Sequence, residues 1–220
     1  MQNPGAQRDS NYGEMYIVDS VTLTTVHSAD EWHAIDGLLL EGYTDSFTFE
    51  AGSDGVIASI ADAGGGDITV TDVAHGLSVG NIITVNGCTD AAYNGIFEVK
   101  TVPTADTFTV TAVYTATDTG FWQKGSNLIC KVAGIYNGTW AASGISTVNA
   151  HIFDFAPCLN TTVASKAKSR RKFSNADYGS FGGTSIVEFA VGDVITFVLQ
   201  NVGATGDVTI RTLDLNLHRL

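Results

Sequence analysis

Charge is scarce in this sequence. Only 15% of its 220 residues are Asp, Glu, Lys or Arg, against about 25% in typical globular chains. Hydrophobic residues make up 44%. The surface must therefore be built from Thr, Ser, Asn and Gly, or be buried against partners, because monomers seldom leave large apolar patches in water. Scarce charge thus points to assembly. Positive charge is scarcer still. No Lys or Arg lies between Arg8 and Lys100, and fifteen of the 23 acids fall from Asp9 to Glu98. The net charge is −12. That balance argues against nucleic-acid binding by the whole chain, which needs a broad basic face. It permits electrostatic matching between subunits.

Cysteine is limited to Cys88, Cys130 and Cys158, an odd number with no CxxC pair. All three read as small buried hydrophobes, and a disulfide with one thiol left over has no support. Met1 opens a polar segment, MQNPGAQRDSN, with no apolar run behind it. That is not the pattern of a standard signal peptide. No stretch approaches the roughly 18 apolar residues of a membrane span. The expectation is a soluble chain, made in a reducing cytoplasm, with no membrane partner.

Marks of catalysis and metal binding are also missing. His27, His33, His75, His151 and His218 form no HxH or HxxxH pattern. His33, beside Glu31 and Trp32, could in principle act as a base, but no nucleophile motif accompanies it. His75 reads as part of a turn entering a strand. Asp62, Asp67 and Asp72 recur every five residues, without the DxDxDG pattern of a calcium loop. They read as a solvated acidic face. Gly64-Gly65-Gly66 lacks the Gly-Lys-Ser/Thr that completes a phosphate loop. No repeat of the kind seen in sugar-cleaving β-helices is visible. The expectation is a protein without catalytic residues, cofactor or metal.

Helical periodicity is nearly absent too. Its best candidate is Asp30–Leu40, which contains Gly37. What the chain does have is many short runs of alternating, β-branched residues, such as Ile68–Val73, Asn81–Val85, Thr107–Val113, Leu128–Tyr136, Val194–Gln200 and Asp207–Asn216. Turn signals such as Asn86-Gly87, Asn94-Gly95 and Asn137-Gly138 separate them. Twenty-four glycines against three prolines suit tight turns. The pattern predicts an all-β sandwich or barrel. Trp32, Trp122 and Trp140 read as core or interface residues. Breaks in style near Ala61–Gly66 and Gln123–Ser126 divide the chain. Residues 61–125 read as a small inserted β-barrel, residues 12–60 and 126–220 as one discontinuous β domain, and residues 1–11 as a flexible arm suited to docking.

One charged feature stands out: the basic run of Lys166, Lys168, Arg170, Arg171 and Lys172. It reads first as an edge strand or loop blunted by cations. It is also the candidate contact to another subunit or to a capsid. Nucleic acid is a poor partner for it, because no aromatic residues interleave the charges.

The segment His75-Gly76-Leu77-Ser78-Val79-Gly80-Asn81, followed by Ile82–Val85, Tyr93–Val99 and Asp106–Val110, resembles a small β module of phage and prophage virion proteins. The resemblance covers about a quarter of the chain. The flanks resemble the trimeric jelly roll of tumour-necrosis-factor-like and complement-type globular heads, through Gly134-Ile135-Tyr136, the Val191-Gly192-Asp193 turn with its two strands, and the terminal strand Val208–Asn216. Phages use the same jelly roll in capsid decoration and head-fibre proteins. Together the resemblances imply a jelly-roll β-sandwich interrupted by a small inserted barrel. They also imply a virion structural protein that forms a homotrimer and binds the major capsid protein as a decoration protein. The alternative they leave is a head-fibre or tail-fibre module that binds a receptor or glycan.

Overall fold

A computed structural model describes residues 11–35, 40–174 and 177–220 of the chain. Its first part carries β1 (Tyr12–Ile17), β2 (Leu23–Thr24), β3 (His33–Ala34), β4 (Leu40–Glu41) and β5 (Phe47–Glu50). The middle carries β6 (Ser53–Ile57), β7 (Ser59–Gly64), β8 (Asp67–Thr71), β9 (Ile82–Asn86), β10 (Gly95–Glu98), β11 (Thr101–Thr104), β12 (Thr107–Thr111) and β13 (Gly120–Lys124). The last part carries β14 (Asn127–Cys130), β15 (Gly134–Ser146), β16 (Ile152–Leu159), β17 (Thr162–Val163), β18 (Ser169–Lys172), β19 (Tyr178–Phe189), β20 (Val194–Val202) and β21 (Val208–Arg219). The all-β expectation holds. Among the described residues no helix is long and apolar enough to cross a membrane.

The first and last parts interleave into two facing sheets. One runs β19-β15-β21-β1-β4, with β2 also on β21; the other runs β17-β16-β20-β14-β5, with β18 on β16 and β3 on β20. Every pairing is antiparallel. The long strands β14 to β16 and β19 to β21 change sheet at each step, save where β16 is followed by β17 and β18 at its own edge. This is a jelly-roll sandwich. Strand β21 shows why it closes. Leu213, Leu215 and Leu217 are buried, while Thr212, Asp214, Asn216 and His218 alternate with them in water. Facing them in the core are Phe153, Phe155, Phe197 and Leu199 of the second sheet, with Tyr136 and Trp140 beside β21.

The middle part forms two four-stranded sheets, β10-β9-β13-β6 and β11-β12-β8-β7. They enclose a separate core of Ile57, Ile60, Ile68, Val70, Val85, Tyr93, Phe108 and Trp122 among others. No ladder joins the two sheets among the described residues, so the expected barrel is here a pair of sheets.

The expected boundary at residue 61 also shifts. Strand β6 pairs with β13 from Ser53↔Lys124 to Ile57↔Gly120, and β7 pairs with β8, so the unit begins at Ser53. The ADAGGG segment is the end of β7 and the Gly65-Gly66 turn into β8, where Gly64, Gly65 and Gly66 all take positive φ. The unit sits at the tip of a hairpin. Strands β5 and β14 pair with each other (Glu50↔Asn127, Phe49↔Leu128), and the ribbon continues into β6 and β13. Glu50 and Lys124 form an ion pair across the junction at 3.5 Å, and Ser126 Oγ accepts from the Gly52 amide at 3.0 Å.

Asp30–Leu40, the best candidate for helix in a sequence with little helical periodicity, shows no helix over its described residues 30–35. His33–Ala34 instead makes a two-residue strand against Leu199 and Val198; residues 36–39 lie outside the described residues. Tertiary pairing overrides a weak local pattern there. The expected arm, residues 1–11, lies outside the described residues except for Asn11. The Asn11 carbonyl accepts from the Arg219 amide at 3.1 Å.

Candidate interaction surfaces

The basic run occupies one edge of the second sheet. Lys166 lies in a 3-10 turn (Ser165–Ala167), and Arg170, Arg171 and Lys172 lie in β18. Strand β18 pairs with β16 in the register Arg170↔Asp154, Arg171↔Phe153 and Lys172↔Ile152. An edge strand carrying this many cations is blunted against edge-to-edge pairing.

Two of the five cations are engaged internally. Asp154 is fully buried. Arg170 grips it with two bonds, Nε to Oδ1 at 2.6 Å and Nη2 to Oδ2 at 2.8 Å, and Lys168 Nζ reaches Oδ2 at 2.9 Å. Gln200 Nε2 adds a longer bond of 3.4 Å. Burial alone would raise the Asp154 carboxyl. The hydrogen bonds and charges of Arg170 and Lys168 outweigh it and hold the group below its usual range. Lys166, Arg171 and Lys172 are exposed and have no carboxylate within 4.0 Å among the described residues. They are the cations available to a partner. Asp154 escaped the sequence reading. Its signal is a lone acid in the otherwise apolar run IFDFAPCL, placed shortly before a block of cations.

A second surface is the outer face of the first sheet. Short, uncharged side chains occupy most of its middle: Thr139 is opposite Thr184 on one side and Asn216 on the other, and Ser143 is opposite Ser180 and Thr212, while between them Ala141 is opposite the exposed Asp214. Ser143 and Thr212 are joined by a 2.7 Å hydroxyl bond. Apolar side chains flank this area, with Ile186 69% and Tyr178 64% exposed. A shallow trough of about 620 Å³ crosses the face between Tyr16, Ser143, Ser180 and Asp214. Burial and the charge of Glu14 raise the Asp214 carboxyl, against a hydrogen bond from Asn216.

The joint between the sandwich and the middle unit is polar. Thr84 Oγ1 accepts from the Ala34 amide (3.1 Å), Asn86 Nδ2 donates to the Trp32 carbonyl (3.2 Å), and Ser28 Oγ accepts from the Gly87 amide (2.9 Å). The His27 ring stacks on Phe121 with centroids 3.8 Å apart. His33 is fully buried. Its Nε2 accepts from the His27 amide at 2.9 Å, and its Nδ1 faces the Glu31 carbonyl at 2.9 Å. Burial lowers it to about 4, opposed by the Glu31 bond and aided by His27. It is a neutral clip with both nitrogens occupied, which leaves neither for proton transfer.

The remaining singled-out residues have structural surroundings. His75 is buried, with Nδ1 accepting from the Leu77 amide at 3.0 Å in the turn before β9. Asp67 pairs with Lys100 at 2.6 Å, Asp72 accepts from Trp122 Nε1 at 2.7 Å, and Asp62 accepts from the Gly64 amide. No cluster of three metal-ligating side chains occurs among the described residues. The three cysteines are free and buried. Burial first, then Asp118 and Asp90, pushes the Cys88 thiol up to about 12; burial does the same for Cys158. Neither is a thiolate at neutral pH.

No family model matches the chain, and no curated protein matches it. Among solved structures, the insecticidal delta-endotoxin Cry8Ea1 from Bacillus thuringiensis is similar at a TM-score of 0.28 and 8% identity, over 95% of this chain and 53% of that one. This chain thus spans about half the length of that protein. Likeness at that level carries no argument about function.

Proposed function

We propose that this chain is a phage virion structural protein, a homotrimeric capsid decoration protein that binds the major capsid protein and stabilises the shell. The observation that carries the proposal is the outer face of the first sheet. It is broad, its centre is built of Thr, Ser, Ala and Gly, and exposed Tyr178 and Ile186 flank it. Such a face packs closely against another protein surface, provided that surface brings cations to Glu14 and Asp214, which lie on it. The resemblance of His75–Val110 to a phage β module supports the virion assignment. Exposed Lys166, Arg171 and Lys172 supply a cationic edge that suits acidic surface on a neighbouring subunit or on the capsid. The work is mechanical, since a partner that binds only the assembled shell stabilises it by mass action. No catalytic residue is assigned.

Sedimentation at micromolar concentration tests the assembly. A trimer is expected, and Ala141→Glu, which sets a second carboxylate opposite Asp214 in the middle of the face, is expected to dissociate it. A monomeric wild-type chain at that concentration would sink the proposal. Cryo-microscopy of the virion then separates capsid three-folds from a tail location, where a receptor-binding role would apply instead.

A further inference from the structure

We propose that a cavity between the two sheets of the sandwich is a binding site for a small apolar molecule, an aromatic ring or short hydrocarbon of about six to eight carbon atoms. The cavity encloses about 160 Å³. An apolar cavity of about 150 Å³ stays dry and accepts benzene or xenon, so the volume alone admits a ligand of this size.

The sequence creates the space by setting short side chains against long ones. Gly138 on β15, Ala164 and Ala167 in the segment after β17, and Ser185 on β19 line it. The inner wall is Trp140, Ile195, Leu215 and Leu217, all buried. Pro157 lies on the second-sheet side and has no N–H to offer.

The polar groups nearby are already paired. Trp140 Nε1 donates to the Ala167 carbonyl at 3.1 Å, the Ala164 amide donates to the Pro157 carbonyl at 2.9 Å, and Ser185 Oγ donates to the Ile186 carbonyl at 3.4 Å. A trapped water needs two to four polar partners, and the inner wall of Trp140, Ile195, Leu215 and Leu217 supplies none, the Thr162 and Ser185 hydroxyls standing at the mouth. The same property selects the ligand: a group that must form hydrogen bonds is penalised on entry, while a ring or alkyl chain gains contact with every wall. The cavity lies beside the edge strands β17 and β19. Exposed Thr162 and half-buried Ser185 and Val187 form its mouth, so a ligand reaches it without opening the core.

The test titrates the full chain with toluene, and separately with xenon, while following methyl resonances and thermal unfolding. The expected result is saturable shifts confined to methyls that line the cavity, such as those of Leu159, Val187, Ile195, Leu215 and Leu217, with Tm raised by about 2 °C at saturation. Ala164→Leu fills the mouth, and its binding should be at least tenfold weaker with Tm unchanged or higher. Should Ala164→Leu misfold, Ser185→Leu fills the same space from the opposite sheet and carries the same expectation. Three outcomes overturn the proposal: shifts that do not saturate or that spread over the whole chain; equal affinity in a folded filled variant; and phenol binding more tightly than toluene, which would mean a polar site.

Discussion

At Asp154 one buried carboxylate meets two surface cations. The two kinds of partner are not equivalent. Asp154 is fully buried, whereas the Lys168 and Arg170 side chains remain 34% and 56% exposed. Removing the acid leaves two cations that water can solvate. Removing both cations leaves an acid that water cannot reach, and an uncompensated buried charge costs about 3–5 kcal/mol. We therefore expect Asp154→Ala to cost less stability than the double variant Lys168→Ala/Arg170→Ala, which should lose about 3 kcal/mol. Urea denaturation midpoints measure both. Equal or reversed losses would mean that the carboxylate is less buried than its geometry indicates. The pH dependence follows the same logic. The folded Asp154 carboxyl lies below its ordinary value, so its contribution is present above an unfolded value of about 3.9 and is lost as pH falls through the lowered folded value.

Short segments held by long-range pairing were the hardest to read in advance. The strands β8, β9, β12, β20 and β21 were legible, because each is a run of five or more residues rich in β-branched and apolar side chains that ends at a turn. Residues 30–35 were not. Their structure is set by β20 and by the middle unit, which no local pattern reports. The boundary at Ser53 was missed for a related reason: β6 (SDGVI) and β7 (SIADAG) show no apolar alternation and are held by pairing with β13 and β8, and the glycine cluster that looks like a border is a turn. The basic run was legible as an edge, but its counter-ion depends on the register of β16 and β18. The cavity depends on which side chains face each other across two sheets.

His33, in the short strand β3, yields a prediction. His33 sits at about 4 when folded against an ordinary 6.5. Between those values the unfolded chain binds more protons, so acid favours unfolding. Above pH 6.5 the ring is neutral in both states and the term vanishes; as pH drops to about 4 it grows into a penalty of about 3 kcal/mol against the folded state. Replacing His33 with Gln, which retains an acceptor for the His27 amide, should lower stability at pH 7 and flatten the decline between pH 6.5 and 4. A slope unchanged in the variant would assign the acid sensitivity elsewhere.

On the scale of the whole molecule, the hairpin β5–β14 decides how the two units relate. The middle unit leaves and rejoins the sandwich at adjacent residues, since Ser53 pairs with Lys124 and Glu50 with Asn127. Its core is its own, and its two sheets contain every strand from β6 to β13. A unit of this size buries enough apolar surface for marginal independent stability. Residues 53–124 are therefore expected to fold alone, with dispersed amide resonances. The sandwich, with residues 51–126 replaced by a short Asn-Gly turn, is expected to fold as well, because that turn only closes an existing antiparallel pair. It should be less stable than the full chain, because the Ala34–Thr84 and Trp32–Asn86 bonds and the His27–Phe121 stack are then lost. Circular dichroism and amide exchange on both fragments measure this. If the middle unit proves unfolded alone while the closed sandwich folds, the polar joint is holding the unit together. The insertion would then fold as an extension of the sandwich, with the β5–β6 and β13–β14 ribbon as its nucleus.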